Sequence, residues 1–94
     1  MLSPERQYQY KVLSVELDLI LTDFADTSFD KINTFTILTL DGGALDVKLN
    51  ADTNDVITCS DGLKIEGIPI TALFWTTETT QIGKTATIFV AWID

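Results

Sequence analysis

The last ten residues, Thr85 to Asp94, alternate as a β-strand does, yet they are apolar on both of its faces. Side chains of successive strand residues point to opposite sides. Ala86, Ile88, Val90 and Trp92 therefore face one way, and Phe89, Ala91 and Ile93 the other. A two-layer domain covers one face of a sheet with its own core. The second face needs another cover, and another copy or a neighbouring protein is the expected one. This strand points to assembly.

The chain is too short to escape that conclusion. Its 94 residues make one domain, 1–94, with residues 1–7 as a polar N-terminal arm. A chain this size buries roughly 60–65% of the surface its unfolded form exposes, which leaves a small stability margin. Cys59 is the only cysteine, so no intrachain disulfide is available as a staple. Oligomerisation is the remaining common remedy.

Fourteen threonines sit mostly between apolar β-formers, and no 12-residue segment shows a 3.6-residue apolar period. The expectation is an all-β chain: a single antiparallel β-sandwich, jelly-roll-like, with seven to eight strands. From Tyr8 to Thr22 the odd positions Leu13, Val15, Leu17, Leu19 and Leu21 predict one long strand with a buried face. A polar connection, Asp23–Asp30, follows with Phe24 and Phe29 as aromatic plugs. Thr34–Leu40 and Ala44–Asn50, joined by Asp41-Gly42-Gly43, predict a hairpin, because glycine accepts the positive φ of a tight turn. Val56–Cys59, Leu63–Glu66 (ended by Gly67), Thr71–Thr76 and the terminal strand complete the set. Pro69 lacks an N–H and belongs at a strand start, edge or bulge. Leu13, Val15, Leu17, Phe35, Ile37, Leu45, Val47, Leu49, Ile88 and Val90 are the expected core.

Composition also limits the chemistry. Ten aspartates and four glutamates against five lysines and one arginine give a net charge of −8. That balance argues against nucleic-acid and membrane partners. No apolar run is long enough to span a bilayer, and the N-terminus lacks a signal-peptide pattern. A natural product made in a cytoplasm and soluble until it assembles is expected. Histidine is absent, which removes the commonest general base and the histidine-dependent nucleophilic sites. One cysteine cannot build a structural zinc site, and no glycine-rich phosphate loop occurs. The expectation is a non-enzyme with no catalytic residues, no metal and no cofactor. Catalysis by two carboxylates stays open and would need paired acids converging in a pocket.

Three features carry competing readings. Asn50-Ala51-Asp52-Thr53-Asn54-Asp55, continuing to Asp61 as the twelfth position, has the oxygen spacing of a calcium loop. Asp55 stands where such a loop needs glycine, so an ordinary turn is favoured. Cys59, with no histidine beside it, reads as a small core residue rather than a nucleophile. Phe74 and Trp75 are adjacent and must face opposite sides, so one fills the core and the other meets a partner. Phe74 or Trp75, with Phe89, Trp92 and Ile93, are the expected interface residues. The rival reading is a sugar-stacking platform of Trp75 and Trp92 with loop aspartates.

Asn33-Thr34-Phe35-Thr36-Ile37-Leu38 followed by Gly43-Ala44-Leu45-Asp46-Val47-Lys48-Leu49-Asn50 resembles a strand–turn–strand cassette of small tailed-phage virion proteins. Asp61-Gly62-Leu63, Leu73-Phe74-Trp75-Thr76 and Gly83-Lys84-Thr85-Ala86-Thr87-Ile88 resemble that family's closing strands. The resemblance covers about residues 12–93 and implies a capsid decoration (cement) or fibre-base protein located in the virion. The expected assembly is a homo-oligomer, with a trimer as the leading form, bound to other virion proteins such as the major capsid protein. The alternative is a glycan- or receptor-binding module of a fibre or spike.

Overall fold

A computed structural model describes residues 8–26, 31–78 and 80–93. The N-terminal arm and Phe29 lie outside the described residues. The strands are β1 (Tyr8–Glu16), β2 (Phe24–Asp26), β3 (Ile32–Thr39), β4 (Asp46–Leu49), β5 (Ile57–Thr58), β6 (Lys64–Ile70), β7 (Leu73–Thr76) and β8 (Thr85–Ile93). Every pairing is antiparallel, in two four-stranded sheets ordered β1-β8-β3-β6 and β2-β7-β4-β5. The described chain is all-β, as its threonine-rich alternation predicts.

The core lies between the sheets. Phe35 of β3 and Trp75 of β7 meet across it with ring centroids 6.0 Å apart. Val15, Leu17, Phe35, Ile37, Leu45, Val47, Ile88 and Val90 are buried, and Leu13 and Leu49 pack against them half-buried. Alternation thus identifies the inward face correctly in the first, third, fourth and last strands.

The long first strand is shorter than its pattern. β1 stops at Glu16 because its ladder partner β8 begins at Thr85, the residue opposite Glu16. Leu17 still bonds the Lys84 carbonyl through its N–H at 3.0 Å. The chain then crosses to the second sheet, where buried Thr77 ties it down. The Thr77 hydroxyl accepts the Leu21 N–H at 3.0 Å and donates to the Leu19 carbonyl. Leu19 and Ile20 are exposed along this crossing, and so is Phe24, which is no plug.

The predicted hairpin is a turn without a pair. Asp41 and Gly42 have φ of 54° and 76°, and the Gly43 N–H bonds the Leu40 carbonyl at 2.7 Å. This is the expected left-handed turn. Yet β3 pairs with β6 and β8, whereas β4 pairs with β5 and β7. The two strands belong to opposite sheets, and Phe35 and Ile37 of β3 and Val47 of β4 are buried in the core between them. Gln81, only 8% exposed, holds the chain where they part. Its Oε1 accepts the Ala44 N–H, and its Nε2 lies 3.1 Å from the Ala44 carbonyl and 3.2 Å from that of Leu17.

Gly43 is required by this close approach. An added Cβ would lie 2.5 Å from Leu17 Cδ1 and 2.8 Å from Gln81 Oε1. Gly43→Ala is therefore expected to destabilise the fold by about 1–3 kcal/mol, read as a lowered urea midpoint.

Gly67 does not end its strand. It takes a φ of 85° within β6, beside a register shift against β3 between Ile32 and Thr34. β6 is an edge of its sheet, where Pro69 leaves no ladder bond unmade.

Candidate interaction face

β8 lies in the interior of its sheet, between β1 and β3, so both of its faces matter. Ala86, Ile88 and Val90 are fully buried in the core, and Trp92 packs half-buried against that core. Phe89, Ala91 and Ile93 emerge on the outer face. Residues directly opposite one another in an antiparallel ladder share a face. The β1–β8 register pairs Tyr8 with Ile93, Tyr10 with Ala91 and Val12 with Phe89. These six side chains form one apolar field.

Much of that field is open to solvent. Tyr10 is 67% and Val12 52% exposed, while Ala91 is 7% exposed, screened by its neighbours. The Tyr10 and Phe89 rings stack with centroids 5.6 Å apart and an interplanar angle of 23°. The field fades toward β6. Thr34 and Thr36 follow on β3, and then Glu66 and Lys64, an exposed ion pair at 3.5 Å. Among the described residues, besides Glu66, the only acidic residue that the ladders place on this face is Glu16, at the far end of β1. The other described acidic residues lie in connections or on the second sheet. In a chain of net charge −8 this face is close to neutral.

The expected interface residues divide three ways. Phe89 and Ile93 belong to the open field. Trp92 faces the core side and packs half-buried against the core. Trp75, 1% exposed, lies in the core, and Phe74 is the member of that pair that faces outward, half-buried on the second sheet. Phe74 stands opposite Lys48, whose Nζ lies 3.3 Å from Asp23, so that outer face is more polar. Trp75 and Trp92 do not form a sugar platform, because one indole is enclosed and the other faces inward. Tyr8, Tyr10 and Val12 were not singled out by sequence. Their signal was present in phase, at alternate positions, but its meaning depends on pairing with a strand about 80 residues away.

The remaining features have local explanations. Asn50, at φ 69°, accepts the Thr71 N–H at 2.7 Å and donates to the Pro69 carbonyl at 3.1 Å. Asn54 donates to the Leu49 carbonyl at 2.7 Å. Both amides fasten backbone, as turn residues do. Among the described residues no group of three or more Cys, Asp or Glu side chains converges as metal ligands would. A cleft of about 500 Å³ opens beside Val15, Leu21, Phe24 and Trp75, with Glu16 and Asp26 on its rim. Asp26 accepts a 3.5 Å hydrogen bond from the Trp75 indole there.

Cys59 is buried, and burial, then the charge of Asp46, pushes its thiol up to about 12 from 9.0. It is a protonated core group. Above pH 9 the unfolded chain releases this proton before the folded chain does, so the thiol's stabilisation is lost as pH rises. The stability advantage of wild type over Cys59→Ala should therefore narrow between pH 7 and pH 10, measured by urea unfolding.

Comparison with protein-family models, with curated proteins and with solved structures finds no match for this chain.

Proposed function

We propose that this chain is a non-enzymatic structural protein of a virus particle, a jelly-roll sandwich that self-associates and decorates or stabilises a tailed-phage capsid through contacts with other virion proteins. The observation that carries the reading is the outer face of the β1–β8 sheet. It is apolar over the field from Tyr8 to Ile93 and nearly free of acid in a strongly acidic chain. Contiguous apolar surface of this kind marks protein contact.

The strand order supports the jelly-roll assignment. β1 pairs with β8, β2 with β7, β3 with β6 and β4 with β5, as in one long ribbon rolled over on itself. Rolling brings β8 beside β3 and β7 beside β4. Jelly rolls serve in viral capsids and in lectins, so the architecture alone does not choose a function. The choice of virion over glycan-binding fibre or spike rests on the sequence resemblance and on the inward placement of both tryptophans.

Quantifying the chain in purified particles of the phage that encodes it tests this reading. A fixed copy number per shell, released when the outer field is charged, is the expected result. A chain present in the lysate and absent from particles overturns it.

A further inference from the structure

Four strands border the two sheets, and their edges are unlike. β2 has three residues and β5 has two, too few to guide another strand. β6 has seven, but Gly67 interrupts its register and Pro69 lacks an N–H. β1 differs from all three. It runs nine residues without glycine or proline, in unbroken register with β8 from Tyr8 opposite Ile93 to Glu16 opposite Thr85. Among the described residues its other side pairs with nothing. Long regular edges are templates for strand addition, and monomeric proteins ordinarily blunt them.

We propose that β1 is the seam at which a second copy of this chain adds its own β1, antiparallel, joining two four-stranded sheets into one eight-stranded sheet about a two-fold axis. This rests on the self-association read above and adds its geometry.

Two observations select a second copy as the occupant. The apolar field borders this edge, with Tyr8, Tyr10 and Val12 on β1 itself. A two-fold seam about Val12 joins the fields of both copies at the paired Val12 side chains, and sets Tyr10 opposite Ser14 and Tyr8 opposite Glu16 of the other copy. The charges of β1 also suit antiparallel pairing. Its charged residues are Lys11 and Glu16. Parallel in-register pairing would set each directly beside its own copy, which is destabilising. Antiparallel pairing about Val12 sets Glu16 opposite Tyr8 of the other copy. The two Glu16 carboxylates then stand about 26 Å apart at about 3.3 Å per residue, well beyond the screening length of about 8 Å.

Such an interface is isologous and closes with two copies, in place of the trimer expected from sequence. The interrupted β6 edges end the joined sheet on both sides. The doubled apolar field is left on one face, available to a shell protein.

Residue-resolved amide hydrogen exchange of the full chain, above and below the concentration at which it associates, tests the seam. Alternate β1 amides, those not bonded to β8, are expected to exchange at least about tenfold more slowly in the associated form. If the chain associates while those amides exchange equally fast at both concentrations, the seam is overturned and association through the apolar face stands. If they are protected equally in the diluted monomer, the chain covers its own edge, and the seam is again overturned. A chain that is monomeric throughout overturns both the seam and self-association.

Discussion

Val12→Asp is expected to weaken self-association at least about 100-fold while leaving the monomer folded, a loss of about 2.7 kcal/mol in association free energy. Val12 is half exposed on β1, an edge strand, so the monomer loses little by the change. The cost to the isolated fold is about 1 kcal/mol, the span of strand propensity. In the associated form the new carboxylate is placed among Tyr10, Phe89 and the same apolar field of another copy. At the two-fold seam the two aspartates stand directly opposite one another, a like-charge pair in place of the apolar Val12 pair. Phe74→Asp is the informative comparison. It puts the same charge on the outer face of the second sheet, beside Lys48. Sedimentation of the two variants should show Val12→Asp as monomer and Phe74→Asp associating as wild type does. Equal loss in both would mean that the contact lies elsewhere.

Gln81→Ala is expected to be the most damaging polar substitution in the chain, at about 3–5 kcal/mol. The Gln81 amide satisfies backbone groups of three segments that no ladder reaches. It bonds both the N–H and the carbonyl of Ala44, the carbonyl of Leu17, and the carbonyl of Glu78 at 3.3 Å. Removing it orphans the buried Leu17 carbonyl, at about 1–3 kcal/mol, and leaves part-buried groups of Ala44 and Glu78 without their partner. A chain of this size has only about 5–14 kcal/mol of total stability. The urea midpoint should fall by about 2–3 M. Gln81→Glu should be no milder. It keeps the acceptor for Ala44 but turns a carboxylate toward three carbonyl oxygens. A change below about 1 kcal/mol in both variants would show that water can replace the amide.

These two positions mark where the sequence was and was not legible. Alternation reports which side of a strand is apolar, and it located Phe35, Ile37, Leu45 and Val47 in the core. It carries no information on whether two such strands lie edge to edge or face to face. For that reason the Asp41-Gly42 turn was readable while the pairing across it was not. The same limit applies at Leu19 and Leu21, where alternation continues through a crossing between sheets. Adjacency told that Phe74 and Trp75 face opposite ways, and only the opposite sheet, through Phe35, decides which is enclosed. Gln81 gave no sign at all, being one polar residue in a threonine-rich connection. The double-faced terminal strand was legible in full. Its outer half, however, becomes a surface only when Tyr8, Tyr10 and Val12 join it, through a ladder that closes nearly the whole length of the chain.

The central claim is that this outer field is a contact surface rather than a solvated one. Sedimentation equilibrium of the wild-type chain, followed from dilute solution to high concentration beside Val12→Asp, tests it most directly. A wild type whose mass rises with concentration to a defined assembly, beside a variant that stays monomeric, is the predicted result. A wild type that remains monomeric at every concentration and behaves as the variant does would contradict it.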